Sequence, residues 1–142
     1  MSKSKKPSKL IERLREALVH EEDILFAYLY GSAAYDPDFA MGDIDIAVYL
    51  KPADIKGYIS KEEALMALLA SKLHTDAIDL RILNTLPLIL KYSILKDGKL
   101  LFSRDDLQRV DFDTSVMIRF LEIKPYLDEY RLMLSQRIRG AR

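Results

Sequence analysis

The chain has 142 residues, of which 49% are hydrophobic and 31% charged, a balance typical of a soluble globular protein rather than a disordered one. Its 22 basic and 22 acidic side chains cancel, which argues against broad electrostatic binding to nucleic acid, and its apolar runs are too short to span a bilayer. Cysteine is absent, which excludes a disulfide framework and thiolate metal sites. We therefore expect a single cytoplasmic domain over residues 1–142, with no direct contact to membrane or nucleic acid.

The first 42 residues predict a tail, a helix, a strand and a turn. Residues 1–8 are rich in lysine and serine and predict a flexible basic tail. Apolar residues at helical spacing predict an amphipathic helix over 8–20, capped by Ser8. The apolar run at 24–30 predicts a buried strand, and the glycine, proline and aspartates of 31–42 predict a helical turn followed by a loop.

Three further strands and three helical segments are expected after this loop. The remaining elements follow in order: a strand at 44–50, a helix at 60–74, a strand at 77–84, a helix at 85–96, a short strand at 100–103 and a long helix or helix pair at 113–138. Ser60 and Glu63 match a capping box at the start of the second helix. Pro87 is expected in the first turn of the third helix and Gly98 at its end. Pro125 is expected to break or kink the last helix.

Strands separated by helices predict the fold class α/β (α+β), a small mixed sheet flanked by helices, with a helical C-terminus. The apolar residues of the three strands alternate, so that one set is expected to form the core. This predicted core consists of Leu25, Ala27, Leu29, Ile44, Ile46, Val48, Ile78, Leu80 and Ile82.

Three aspartates lie in or beside the predicted strands. Asp43 and Asp45 flank Ile44, so strand alternation turns both carboxylates to the face opposite the core. Asp79 lies between Ile78 and Leu80, and if the two strands pair, all three carboxylates converge. Hard oxygen ligands in that arrangement suit Mg²⁺ or Mn²⁺. The alternative is that each is an ordinary surface aspartate, although aspartate is disfavoured in strands.

Gly31 and Ser32 follow the first strand and precede the predicted helical turn. Glycine allows a sharp turn and lets backbone N–H groups approach a ligand closely. The start of a helix offers unpaired donors to an anion such as phosphate, and serine adds a hydroxyl group. The same two residues also fit a tight turn with a capping serine, so the pair alone does not decide between the two interpretations.

Gly31-Ser32, ten intervening residues, Asp43-x-Asp45 and a later strand aspartate resemble the signature of the nucleotidyltransferase superfamily that includes polymerase-beta-like enzymes. The segment AIDLRILNTLPLILKYSILKDGKLLFSRD resembles the third strand, helix and following strand of its minimal members. The segment FLEIKPYLDEY resembles the C-terminal helix of MntA-type antitoxins, the partners of HEPN-domain HepT toxins. The loop departs from the family pattern, since it adds Asp36 and Asp38 where a triphosphate is expected.

This resemblance implies a metal-dependent transfer of AMP from ATP to a tyrosine of a cognate HEPN-type toxin, with which a hetero-oligomer is expected. It implies that Asp43, Asp45 and Asp79 are catalytic and hold two Mg²⁺ ions, with Mn²⁺ as a substitute. It also implies that Gly31 and Ser32 bind the triphosphate, and that Asp79 helps to remove the proton of the acceptor hydroxyl. Two other functions stay open: a binding-only antitoxin with weak or lost catalysis, and a nucleotidyltransferase for small molecules such as aminoglycosides.

Overall fold

A computed structural model of the chain describes residues 9–35 and 43–140, so the predicted tail 1–8, the Ser8 cap and the loop at 36–42 lie outside it. The elements are α1 (Lys9–Val19), β1 (Ile24–Tyr30), α2 (Ser32–Tyr35), β2 (Ile44–Leu50), α3 (Ile55–Leu73), β3 (Ile78–Ile82), a 3₁₀ turn (Leu83–Thr85), α4 (Leu88–Asp97), β4 (Lys99–Ser103) and α5 (Asp106–Gly140). The α/β (α+β) prediction is confirmed.

The four strands form one mixed sheet in the order β3-β2-β1-β4. β1 lies in the centre and runs antiparallel to both β2 and β4. β2 and β3 are parallel and are joined by α3, as parallel neighbours require a crossover connection. β3 is therefore an edge strand, and the parallel pair brings the starts of β2 and β3 together.

Helices cover both faces of this sheet. On one face, α1 and α3 pack their leucines against alternate residues of the strands, including Leu29, Ile46 and Leu80. On the other face, α4 and α5 pack against Phe26 and Tyr28. The predicted core is correct for the first face except at Leu25, which belongs to the second, because β1 is buried on both sides and its pairing register shifts near its start.

The predicted start of α3 is wrong by one and a half turns. The helix begins at Ile55, and the side chain of Asp54 accepts a hydrogen bond of 2.8 Å from the backbone N–H of Gly57. Ser60 and Glu63, which match a capping box, instead lie inside the helix. Asp54 lies four residues after the end of β2 at Leu50, and its side chain caps the helix at this earlier position.

The predicted helix at 85–96 is likewise divided. Residues Leu83–Thr85 form a 3₁₀ turn, and α4 begins only at Leu88, after Pro87. A residue before proline is pushed out of the helical region, and Leu86 is indeed extended, with ψ of 152°. Gly98 ends the helix as predicted.

The last helix is longer than predicted and unbroken. α5 begins at Asp106 rather than at residue 113, and the side chain of Asp105 accepts a hydrogen bond from the N–H of Gln108 at its start. Pro125 lies within the continuous helix, so a break at Pro125 is wrong, and of the two predicted alternatives the chain forms the single long helix rather than the helix pair. No helix in the described part of the chain combines the length and apolar character that a membrane span needs.

Candidate active site

The parallel pairing of β2 with β3 places Asp45 directly beside Asp79. Neighbouring strands lie about 4.8 Å apart, and residues in register project to the same face. The strand pairing on which the convergence of the aspartates depends is therefore present. Asp43 lies just before β2, where its side chain is exposed, and the backbone N–H of Ile44 donates to the carbonyl of Ala77 to begin the pairing.

The three carboxylates interact electrostatically, and the interaction raises the pKa of Asp45. Burial raises the pKa of Asp45 above that of an ordinary aspartate, and the negative charges of Asp79 and Asp43 raise it further. Arg81 opposes this shift. A carboxylate next to two others is costly to ionise unless positive charge arrives, so this corner of the sheet attracts a cation.

Two functional candidates were missed by the sequence interpretation. Arg81 follows Asp79 by two residues, so it projects to the same face, and its Nε atom lies 3.6 Å from Oδ2 of Asp79. Tyr30 lies opposite Asp45 in the β1–β2 register. Burial raises the pKa of Tyr30 to about 12, with Asp45 and Asp79 adding to the shift and Arg81 opposing it. The period of two along β3 was the available signal for Arg81.

Gly31 lies against Asp45 at the end of β1. Its backbone adopts φ of +72°, a left-handed conformation that side chains disfavour, and a Cβ atom there would overlap Oδ2 of Asp45. Glycine is therefore required twice, for the turn and for the close approach of the backbone to a carboxylate. Ser32 begins the short helix α2 and is exposed. Of the predicted site residues, all five thus lie at one corner of the sheet, and the loop carrying Asp36 and Asp38 lies outside the described residues.

Residues 12–107 match the sequence model of a family described as polymerase beta, nucleotidyltransferase. The chain belongs to this family of nucleotidyltransferases. The matched range contains Gly31, Ser32 and all three aspartates. No curated protein sequence matches the chain significantly.

Solved structures share the fold of this nucleotidyltransferase. One is a MntA–HepT toxin–antitoxin complex carrying two aspartate-to-glutamate substitutions, with a TM-score of 0.63, 20% identity, and 90% of this chain and 97% of that chain covered. A toxin–antitoxin structure with AMP-PNP gives a TM-score of 0.62 at 22% identity, with the same coverage. A tri-AMPylated HEPN toxin of Shewanella oneidensis in complex with an MNT antitoxin gives 0.54 at 23% identity, with 87% and 93% covered.

An open groove of about 410 Å³ lies along β3 of the nucleotidyltransferase and includes one of the three aspartates, Asp79. Asp79 and Arg81 line it from the strand, Glu62 and Met66 from α3, and Thr85 from the 3₁₀ turn. The groove therefore opens beside Asp79 between β3 and α3.

The donor set at this corner fits the divalent ions on which such transferases rely. Carboxylate oxygens that repel one another are suitable ligands for a hard cation. Within residues 9–35 and 43–140, however, no three acidic or histidine side chains already share a metal-binding arrangement. The guanidinium group of Arg81 lies 3.6 Å from Asp79 and partly offsets its charge.

Proposed function

We propose that the chain transfers AMP from ATP to a tyrosine hydroxyl of a cognate HEPN-type toxin, and thereby acts as its antitoxin. The observation that carries the proposal is the register of the parallel strands, which sets Asp45 beside Asp79, with Gly31 held against Asp45. The partner and the transferred group are supported by the relatives of the same fold, which include toxin–antitoxin complexes, one with AMP-PNP and one with a tri-AMPylated HEPN toxin.

In this proposal Asp43, Asp45 and Asp79 hold two Mg²⁺ ions, or Mn²⁺, which when bound supply positive charge against the triphosphate and acidify the acceptor hydroxyl. Gly31 and Ser32 hold the triphosphate, because a backbone without a Cβ atom can approach phosphate oxygens closely. The site works mainly by positioning and by electrostatic stabilisation, as is general for phosphoryl transfer.

Asp79 is the residue that faces the incoming acceptor, since it lines both the carboxylate corner and the open groove. The acceptor oxygen attacks the α-phosphorus of ATP, its proton passes to the carboxylate of Asp79, and a new P–O bond forms. The bond from the α-phosphorus to the bridging oxygen breaks, and pyrophosphate leaves with that electron pair. Arg81, 3.6 Å from Asp79, is then available to neutralise charge on the phosphoryl oxygens.

The test is transfer of label from ATP, labelled at the α-phosphate, to the purified HEPN-type protein encoded beside this chain, in the presence of Mg²⁺. The wild-type chain is expected to label that protein, and Asp43→Ala is expected to abolish labelling while the fold is retained. Asp111→Ala is the matched control, because Asp111 is an exposed aspartate on α5, away from the starts of β2 and β3.

Three outcomes separate the candidate functions. Full activity of Asp43→Ala would refute the mechanism. A stable complex that takes up no label from any nucleoside triphosphate would favour the binding-only antitoxin. Label that appears only on added aminoglycosides, and never on the partner protein, would favour the small-molecule enzyme.

A further inference from the structure

An open pocket of about 490 Å³ lies between α3, α4 and α5, near the end of β2. Lys91 of α4, Arg119 of α5 and Tyr49 of β2 are among the residues that line it. Tyr49 follows Asp45 by four residues, so the two residues lie about 13 Å apart along the strand. The buried Ala47 lies between them on the same face of the sheet. The pocket is therefore separate from the carboxylate corner.

The two cations of this pocket have no acidic partner among the described residues. Arg119 is exposed, whereas Lys91 is half-buried, with its Nζ atom 5.6 Å from the centre of the Phe112 ring. In the described part of the chain neither cation forms an ion pair, and no acidic residue lines the pocket. Arg109 of the same helix α5, in contrast, pairs with two aspartates. The pocket thus carries two positive charges that the described residues leave unbalanced.

The pKa of Lys91 reflects this imbalance. Burial lowers the pKa of Lys91, and the positive charge of Arg119 lowers it further. No carboxylate in the described part of the chain opposes this shift. Burial raises the pKa of Tyr49, and Tyr58 and Asp111 add to that shift, but Asp111 does not line the pocket. An anion between the two cations would relieve their repulsion and offset the burial of Lys91.

Neutral hydrogen-bond donors complete the lining of the pocket. Ser115 lies one turn before Arg119 on the same face of α5. The hydroxyl groups of Ser115 and Tyr49 form no hydrogen bond with another described residue. Asn84, which also lines the pocket, is fixed by two hydrogen bonds of 2.9 Å with the backbone of Leu50. The pocket therefore offers two cations and two hydroxyl donors beside a wall that is held in place.

We propose that this pocket binds the phosphate group of a small phosphate ester of nucleotide size, independently of the proposed transfer reaction. A phosphate monoester carries a charge of about −1.5 to −2 at neutral pH and three acceptor oxygens, which match two cations and two hydroxyl donors. A carboxylate has a single charge and two oxygens, so it would leave donors of the pocket unused. The guanidinium of Arg119 is suited to bind two phosphate oxygens, and the ammonium of Lys91 to bind the third. A pocket of this volume also holds the organic part of such a ligand.

Isothermal titration calorimetry with AMP as the probe tests the proposal, with EDTA present to keep divalent ions from the carboxylate corner. The wild-type chain is expected to bind AMP with a Kd on the order of 0.1 mM and to show no binding of adenosine, which lacks the phosphate. Arg119→Gln and Lys91→Gln are each expected to weaken AMP binding by about tenfold or more. Lys96→Gln and Arg131→Gln are the matched controls, because each removes an exposed cation from one of the same two helices. Both controls are expected to bind AMP as the wild type does.

Two further measurements check the folding of the variants and the identity of the ligand. Lys91→Gln is expected to keep or raise the free energy of unfolding in urea, because it removes the repulsion between two cations. Inorganic phosphate is expected to displace AMP only at about tenfold higher concentration, since it leaves most of the pocket empty. Equal affinities would overturn the ester and identify free phosphate as the ligand. Adenosine that binds as tightly as AMP, a wild type that does not bind AMP, or AMP binding that Arg119→Gln and Lys91→Gln leave unchanged would each overturn the proposal.

Discussion

Asp45 of β2 and Asp113 of α5, the helix that covers the same side of the sheet, have neighbours of opposite charge. Asp113 of α5 accepts hydrogen bonds from the hydroxyl of Tyr28 at 2.9 and 3.1 Å, and Arg109 lies 3.6 Å away. Asp45 instead has two further aspartates as neighbours and depends on Arg81 for positive charge. The charge of Asp113 is therefore balanced by a hydrogen-bond donor and an arginine of the same chain, whereas the charge of Asp45 is opposed by neighbouring carboxylates.

The pKa values of the two groups express this difference. Burial raises the pKa of both carboxyls. At Asp113 the hydrogen bond from Tyr28 and the charge of Arg109 both oppose the shift, but at Asp45 the neighbouring carboxylates add to it. Asp113 is thus a structural carboxylate that joins α5 to β1. Asp45 carries a repulsion that a proton or a bound cation would relieve, which supports the proposed metal site.

The largest effect is expected for Asp45→Asn, which tests whether Asp45 is a functional carboxylate and Asp113 a structural one. Transfer is expected to fall by about 10³-fold or more, because the site loses a charge that the reaction needs. The free energy of unfolding is expected to stay equal or to rise. A carboxyl whose folded-state pKa is raised loses its stabilising contribution as pH rises through that pKa, so a neutral side chain is favoured at pH 7. Single-turnover transfer and urea denaturation measure the two effects.

Asp113→Asn is the matched control for this experiment. Its transfer activity, per folded molecule, is expected to equal that of the wild type. A variant at position 45 that is strongly destabilised but fully active would show that Asp45 is structural, and the comparison between the two ends of the face would fail.

The sequence alone was enough to predict the carboxylate corner, because its signals are local. Strand alternation decides the face of Asp45 and Asp79, and the apolar residues between them decide the register. Arg81 follows from the same rule, because it lies two positions after Asp79 in the strand and therefore projects to the same face. At α3, a capping box at Ser60 competed with Asp54, and the earlier signal determined the start.

The Asp113 end was not predictable from the sequence. Tyr28 and Asp113 are separated by 85 positions, and no periodic pattern relates a strand tyrosine to an aspartate on a distant helix. The sequence predicts a partner for neither residue, and it predicts that the last helix starts at residue 113, whereas the helix begins at Asp106. Tertiary pairing of this kind follows from how α5 packs, which local propensity does not determine.

Tyr28→Phe is expected to have the next largest effect, and on stability alone. It removes the donor from a half-buried carboxylate, which costs about 1–3 kcal/mol in the free energy of unfolding. Urea denaturation measures the loss, with Tyr126→Phe as the control, since Tyr126 is exposed and its substitution is expected to be neutral. Metal binding and transfer per folded molecule are expected to be unchanged. A loss of Mn²⁺ affinity in Tyr28→Phe would mean that the two ends of the face are coupled.

The smallest expected effect concerns Arg81 and Arg109. Arg81 lies 3.6 Å from Asp79, and Arg109 lies 3.6 Å from Asp113. Arg81→Gln removes a positive charge beside the carboxylate corner, so the affinity for Mn²⁺, measured by electron paramagnetic resonance, is expected to rise about threefold to tenfold. Arg109→Gln is the matched control and is expected to leave that affinity unchanged while lowering stability. If Arg81→Gln instead weakens Mn²⁺ binding, then Arg81 orients Asp79 for the ion rather than competing with it. In that case Asp79 resembles Asp113, because each has an arginine as a fixed partner. The contrast with Asp113 then depends on Asp43 and Asp45 alone.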